Sequence, residues 1–254
     1  MSINAVERAL IILKQMAFSA DGIGVREAAR SLGISPSVAQ KSLQALVNQG
    51  FARQDPVTQL YHLGPTAIQV GLAGLSRLEI RQVARPYLEA LAEDSGETVF
   101  LGIRHGDQVV YIDKALSPAE IRLDVPLGSR RPLNCTAVGK ALLAYLPEAE
   151  LDRLARAGAF ERPTPNAVVD PERLKREMAE VRARGLAVDR EEYRLGTLCL
   201  AAPVRNHEGE VVASITISGP KQRVEPALEA ISRQVVECAS RVSVALGYRL
   251  GAAP

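Results

Sequence analysis

Three polar groups in the C-terminal half of the chain could together bind a small anion. The segment "NCTAVG", residues 134–139, lies where a loop enters a predicted helix, so free N–H groups and the helix dipole would face a negative charge. Thr216 and Ser218 alternate with isoleucines along a predicted strand, which places both hydroxyls on one face, and Cys199 lies on a predicted neighbouring strand. These groups are neutral donors without an evident buried cation, so the pattern favours a small carboxylate over a phosphate ester.

A second stretch, "LGISPSVAQKSLQALVNQGF" (residues 32–51), has the pattern of a helix that contacts DNA. Ser35 would supply the N-cap oxygen, and Pro36 suits the first helical position, where its missing N–H costs little. Apolar residues at helical spacing define an inner face: Ala39, Leu43 and Leu46. The opposite face is polar: Ser37, Gln40, Lys41, Gln44 and Asn48. Such a face could contact bases and phosphates, or it could be the solvated side of an ordinary bundle.

An enzyme is an alternative from a different class. Cys135 or Cys199 could pair with His105 or His207 as nucleophile and base. Carboxylates that could supply an acid are Asp113, Asp189 and Glu192. However, no histidine lies in a recognisable nucleophile motif, and the sequence has no Gly-rich phosphate loop. The cysteines lack CxxC spacing and the histidines lack zinc spacing, so we expect no catalysis, no metal ion, no cofactor and no disulfide framework.

Composition and charge indicate a globular protein with a slightly basic N-terminal quarter. Of the 254 residues, 47% are hydrophobic and 24% charged, which is typical of a chain that buries a sizeable core. Residues 1–63 hold six Lys/Arg and four Asp/Glu, so the whole net charge of +2 lies there. That distribution suits a small nucleic-acid module on a neutral body. Since the sequence shows neither a signal-peptide core nor a membrane-spanning apolar run, we expect a cytoplasmic protein without a membrane partner.

The elements around residues 32–51 predict a winged helix. Residues 5–16 carry apolar side chains at helical spacing, and residues 25–32 predict a second helix that ends at Gly33, where a positive φ permits a sharp turn. After the third helix, "FARQDPVTQLYHLG" has two alternating stretches around "DPVT", the pattern of a β-hairpin. Arg53 would begin this wing.

The remaining pattern predicts an α+β domain. Residues 65–75 are apolar enough for a packed helix with inter-subunit contacts, and a longer amphipathic helix follows, ending at Gly96. Predicted strands are "TVFLGI", "QVVYID", "IRLDV", "LAVD", "LCLAAPV" and "VVASITIS", and later helices cover residues 137–146, 171–184 and 225–246. Strands in meanders with helices packed against them indicate α+β and not a doubly wound parallel sheet.

Collinear motifs over essentially the whole chain resemble the IclR family of bacterial transcription regulators. They are "NAVERALIIL", "REAARSLGISPSV", "LVNQGFARQD", "YHLGPTA", "RPYLEALAEDSGETVFLGI", "RRPLNCTAVGKALLAYLP", "RGLAVDREEYRLGTLCLAAPV" and "GEVVASITISGP". The resemblance implies a winged helix-turn-helix over residues 1–64, a linker helix over 65–78, and a GAF-like effector-binding domain over 79–250. It also implies an effector pocket near Ala137, Val138, Asp189, Cys199, Thr216 and Ser218.

This chain departs from the family pattern where DNA is read. Family members often carry Ser-Thr-Val-His-Arg along the recognition helix, whereas residues 37–41 here are Ser-Val-Ala-Gln-Lys. Lys41 keeps a phosphate-binding cation but lacks the bidentate fork of arginine. We therefore still expect this helix to bind DNA, but the operator sequence does not follow from the family pattern.

Together, the residues and the resemblance predict a ligand-responsive transcription regulator. A homodimer, which could pair into a dimer of dimers, would bind a near-palindromic double-stranded DNA operator, and a small organic acid would act as effector. Residues expected to contact DNA are Ser35, Ser37, Gln40, Lys41, Gln44 and Arg53. Residues expected to contact the effector are Thr136, Ala137, Val138, Gly139, Asp189, Cys199, Thr216 and Ser218. A sensor whose winged helix binds protein instead of DNA is the remaining alternative.

Overall fold

A computed structural model describes residues 4–76 and 79–249, and the chain divides into two compact units between Leu78 and Glu79. The first unit contains α1 (Ala5–Phe18), α2 (Val25–Leu32), α3 (Pro36–Asn48), β1 (Ala52–Gln54), β2 (Tyr61–Leu63) and α4 (Pro65–Ser76). Strands β1 and β2 pair in an antiparallel hairpin. These elements form the predicted winged helix-turn-helix, followed by a helix. The last two residues of the predicted linker helix, 77–78, lie outside the described residues.

Local sequence chemistry sets the helix boundaries of the first unit. The Asn4 side chain and Glu7 form a reciprocal capping box at α1. Gly33 ends α2 in the left-handed region, with φ 63°, which a side-chain-bearing residue would adopt at a cost. The Ser35 hydroxyl accepts a hydrogen bond from the Val38 N–H at the start of α3. The three helices then close over a core that includes Ile12, Leu43 and Tyr61, all fully buried.

The second unit is a six-stranded antiparallel sheet with helices on both faces. Its elements are α5 (Glu79–Ser95), β3 (Thr98–His105), β4 (Gln108–Ala115), β5 (Arg130–Pro132), α6 (Ala137–Leu143), α7 (Glu148–Arg156), α8 (Pro171–Arg184), β6 (Ala187–Arg190), β7 (Thr197–Arg205), β8 (Val211–Pro220), α9 (Lys221–Val224) and α10 (Leu228–Ala245). The strand order is β5-β4-β3-β8-β7-β6. Helices α5 and α10 pack side by side on one face, and α6 to α8 cover the other. The α+β class is confirmed.

Several predicted elements of this unit differ from the structure. The predicted strand "IRLDV", residues 121–125, is irregular and pairs with no neighbouring strand. Side chains bind two of its carbonyls instead: Arg223 donates to the Ile121 oxygen at 2.9 Å and Lys114 donates to the Val125 oxygen at 3.0 Å. Helix α6 ends at Leu143 rather than at residue 146, and the last helix begins at Leu228, after the short α9. Helix α7 and strand β5 have no counterpart among the predicted elements.

Candidate DNA-contacting helix and ligand cavity

Helix α3 presents the polar face that its sequence predicts. Ser35, Ser37, Gln40, Lys41 and Gln44 are all exposed, whereas Ala39 and Leu43 are fully buried. Arg53 is likewise exposed, on β1 of the hairpin. The predicted DNA-contacting residues are therefore all accessible on the first unit.

Neighbouring side chains hold the two amides of this polar face, Gln40 and Gln44, but not Lys41. The Gln40 amide donates to the Tyr61 hydroxyl at 3.0 Å, which fixes α3 against the wing, and the Gln44 amide donates to the Asn48 oxygen at 3.0 Å. Within the described chain, the Lys41 side chain makes no hydrogen bond or ion pair. A long unpaired cation beside two oriented amides suits phosphate contacts next to base contacts.

The second unit contains a cavity of about 440 Å³ between the sheet and residues 122–126. Six of the eight predicted effector residues line it: Thr136, Val138, Asp189, Cys199, Thr216 and Ser218. Its volume lies in the range of small-ligand pockets. The structure thus brings together residues that are up to 82 positions apart in the chain.

Ala137 and Gly139 are not among the lining residues of this cavity. Gly139 allows the helix to pack closely on the preceding segment, because a Cβ at this position would lie 2.5 Å from the Leu133 carbonyl oxygen. The Gly139 N–H donates to the Thr136 hydroxyl at 3.1 Å, and this hydrogen bond caps α6. A direct effector contact by Ala137 or Gly139 stays a prediction.

Strand register explains how the polar floor of the cavity forms. Asp189 on β6 pairs with Cys199 on β7, and Cys199 pairs with Ser218 on β8, so the three side chains form one row across the sheet. Thr216 follows on the same face of β8. Its hydroxyl donates to the Leu200 carbonyl at 3.0 Å, and the Thr136 hydroxyl donates to the Pro132 carbonyl at 2.7 Å. These two hydroxyls can therefore accept from a ligand but have no proton left to donate.

Burial controls the protonation of the floor. It raises the pKa of Asp189 to about 7, against the lowering effect of the Glu192 N–H, which donates to the Asp189 carboxyl at 2.7 Å. Burial also raises the pKa of both Cys135 and Cys199 to about 12. The two thiols are consequently protonated at neutral pH, the state in which a cysteine is a poor nucleophile.

Sequence reasoning missed the cations of the cavity. Arg122, Arg131 and Arg194 line it together with Tyr111 and Tyr193. Arg131 is partly buried, whereas Arg122 and Arg194 are exposed. The pair of arginines before Pro132 is visible in the sequence, but the three-residue strand β5 that aims Arg131 into the cavity is too short to predict.

A further cation lies in the core beside the cavity. Lys140 on α6 is fully buried, with its Nζ 2.5 Å from Glu177 and in contact with Glu192. Burial alone would lower the pKa of Lys140, but the two carboxylates raise it overall. The Glu192 N–H in turn holds the Asp189 carboxyl, which joins this buried ion-pair cluster to the cavity floor.

Membrane-spanning helices and metal-binding clusters are both absent from the described part of the chain. No helix there is long and apolar enough to cross a membrane. The same residues contain no group of three side chains placed to hold a metal ion.

Known proteins resemble both units. Residues 5–56 match the IclR helix-turn-helix domain, and residues 72–244 match the family described as bacterial transcriptional regulator IclR C-terminal. The HTH-type transcriptional regulator BhcR of Paracoccus denitrificans is 39% identical over 248 residues, covering 97% of this chain and 88% of that one.

Two solved structures share the fold. The Thermotoga maritima IclR structure is 34% identical with a TM-score of 0.75, covering 97% of this chain and 100% of that one. An IclR homolog from Microbacterium hydrocarbonoxydans, complexed with 4-hydroxybenzoate, is 21% identical with a TM-score of 0.83, covering 96% and 99%. The chain therefore belongs to the IclR family of transcriptional regulators, with an N-terminal helix-turn-helix domain that binds DNA and a C-terminal domain that binds an effector.

Proposed function

We propose that this regulator is a cytoplasmic homodimer whose affinity for operator DNA depends on a small organic acid in the cavity of the second unit. The observation that carries the proposal is the cavity itself, which combines a small-ligand volume with a polar floor next to the start of α6. The complex of the Microbacterium homolog with 4-hydroxybenzoate supports this class of ligand. An effector changes DNA affinity only through its different affinities for the two states of the protein.

The exposed face of α3 is the proposed reading surface. We expect Lys41→Ala to lower the steepness of log K against log salt by about 0.9 for each DNA phosphate that the lysine neutralises. Gln44→Ala should instead relax base preference, by about 1–3 kcal/mol where the amide makes a bidentate contact. Lys14→Ala on the exposed part of α1 is the matched control. Fluorescence anisotropy with labelled operator DNA at several salt concentrations measures both effects, and unchanged binding by both α3 variants would reject this surface.

Helix α4 supports the proposed dimer. Ile68, Val70 and Leu72 are 58%, 57% and 60% exposed, an apolar surface that would be unfavourable in water. We expect sedimentation to show a dimer at least at micromolar concentration, bound to half-sites about one helical turn apart. A monomer bound to a single half-site would contradict this prediction.

The start of α6 is the proposed carboxylate position. The N–H groups of Ala137 and Val138 precede the first intrahelical hydrogen bond, from the Lys140 N–H to the Thr136 carbonyl at 2.9 Å, and so remain available to an anion. The Ser218 hydroxyl lies on the facing strand and can donate as well.

We expect Ser218→Ala to weaken effector binding about tenfold, since a hydrogen bond to a charged group is worth about 1.5–3 kcal/mol. DNA binding by the free protein should not change, because the substitution is confined to the cavity. Thr216→Val is the control at a neighbouring position of the same strand. The Thr216 hydroxyl donates to the Leu200 carbonyl, so its removal should lower stability more than ligand affinity. Calorimetric titration with acids found by thermal-shift screening is the measurement. Wild-type affinity in the Ser218 variant would contradict the proposed contact.

We propose no catalytic activity, because burial raises the pKa of the Cys135 and Cys199 thiols and keeps both protonated. A sensor acting through protein contacts is the second candidate. Salt-dependent binding of operator DNA by the full chain, and its weakening in Lys41→Ala, separate the two.

A further inference from the structure

We infer that the effector carries two anionic groups, of which the second is bound by Arg131. This inference rests on the proposed function, because it takes the cavity as the effector site and the start of α6 as the position of the first carboxylate. The ligand class is accordingly a small dicarboxylic acid, and Arg131 determines the preference for it over a monocarboxylic acid.

Arg131 is held in place before any ligand binds. Its guanidinium carbon lies 5.2 Å from the centre of the Tyr193 ring and 5.9 Å from that of Tyr111, and both rings line the cavity. One guanidinium nitrogen donates to the Arg130 carbonyl at 2.7 Å. These cation–π contacts with two rings and the hydrogen bond to the backbone restrain the guanidinium, so less side-chain entropy remains to be lost on binding a carboxylate.

Arg131 has no acidic partner within the described residues, and among the three cavity arginines it is the one that is partly buried and lies against two rings. Arg85, Arg104 and Arg223 each form an ion pair with a carboxylate. Among the residues described, no carboxylate lies within 4.0 Å of the Arg131 guanidinium, although its side chain is partly buried. A partly buried arginine with most of its donors unused is suited to an anion that comes from outside the chain.

The charge balance of the cavity favours more than one negative charge on the ligand. Three arginines line it, against two carboxyl groups, Asp124 and Asp189. Lys114 already pairs with Asp124. Because burial raises the pKa of Asp189 to about 7, its carboxyl is only partly ionised at neutral pH. One ligand carboxylate at the start of α6 would therefore leave the Arg131 side of the cavity without a counter-ion.

Matched pairs of acids test the inference on the full-length protein. Calorimetry and thermal shift compare butanoate with butanedioate, pentanoate with pentanedioate, and benzoate with benzene-1,4-dicarboxylate, and glycerol phosphate represents a phosphate monoester. The variants are Arg131→Gln, which removes the charge, and Arg131→Lys, which keeps it. Arg162→Gln, at an exposed position outside the cavity lining, is the matched control. Thermal unfolding without ligand verifies that each variant folds.

We expect at least one diacid to bind wild type tenfold or more tightly than its monoacid partner. Arg131→Gln should abolish that ratio while leaving monoacid affinity within about twofold, and Arg131→Lys should retain part of it. Three outcomes would each overturn this inference without affecting the proposed function. They are a diacid preference that survives in Arg131→Gln, monoacids that bind as tightly as diacids, and a preference for the phosphate ester. Failure of every acid to bind wild type would instead contradict the organic-acid effector of the proposed function.

Discussion

Lys140→Met is expected to lower the free energy of unfolding by about 3–5 kcal/mol, although methionine matches the lysine side chain in length. Lys140 is fully buried and holds Glu177 and Glu192 on two sides. Without it, Glu192 would remain in the core with no counter-ion, and one of its carboxylate oxygens already lacks a hydrogen-bond partner. Removing one member of a buried ion pair costs more than the pair contributes, because the other charge stays desolvated.

Urea unfolding of the full chain measures this effect. Lys175→Met is the matched control, because Lys175 also contacts two carboxylates, Asp152 at 2.8 Å and Glu172 at 2.9 Å, but at the surface. Exposed pairs contribute about 0–1 kcal/mol, so the control should be destabilised only slightly. Adding Glu192→Gln to Lys140→Met should restore part of the stability. Equal destabilisation of the Lys140 and Lys175 variants would contradict the prediction that burial makes the loss of Lys140 more costly to stability.

Asp189→Asn is expected to stabilise the ligand-free protein at pH 8 and to do so much less at pH 5. The folded-state pKa of Asp189 is about 7, above the value of about 3.9 for an unfolded chain. Between these values the native state holds a proton that the unfolded state has released, so stability falls as pH rises, by about 1.4 kcal/mol per pH unit. Asparagine removes this penalty, and its side-chain oxygen can still accept the Glu192 N–H.

The stability gained by Asp189→Asn should therefore grow by about 2–3 kcal/mol from pH 5 to pH 8. Urea unfolding at several pH values gives this difference directly, and comparison with wild type cancels the other titrating groups. Asp94→Asn, at an exposed position on α5, is the control and should show no such growth. A constant difference across this range would mean that Asp189 is ionised in the native protein throughout.

The elements of the first unit match those predicted from the sequence, because the residues that determine them act locally. The Ser35 cap, Pro36 and Gly33 act within a few residues, and the spacing of Ala39 and Leu43 determines which face of α3 is buried. Such signals depend on the neighbouring backbone and not on distant contacts. The sequence alone therefore places the polar face of α3.

The cavity could be predicted only in part, because its lining depends on contacts between residues that are distant in the sequence. Alternation along β8 predicts that Thr216 and Ser218 share a face, but the row from Asp189 to Ser218 depends on the pairing register of three strands. The irregular segment over residues 121–125 alternates like a strand, yet two of its carbonyls accept hydrogen bonds from the side chains of Lys114 and Arg223 elsewhere in the unit. Long-range contacts of this kind leave no periodic signal in the sequence.

Sequencing of genomic DNA fragments retained by the purified protein, with and without a panel of small carboxylic acids, tests the central claim most directly. The account predicts a small set of fragments that share a near-palindromic sequence. Lys41→Ala should weaken their retention, and at least one acid should change it in wild type but not in Ser218→Ala. Retention without sequence preference, or selective retention that no acid alters, would contradict a ligand-responsive DNA-binding regulator.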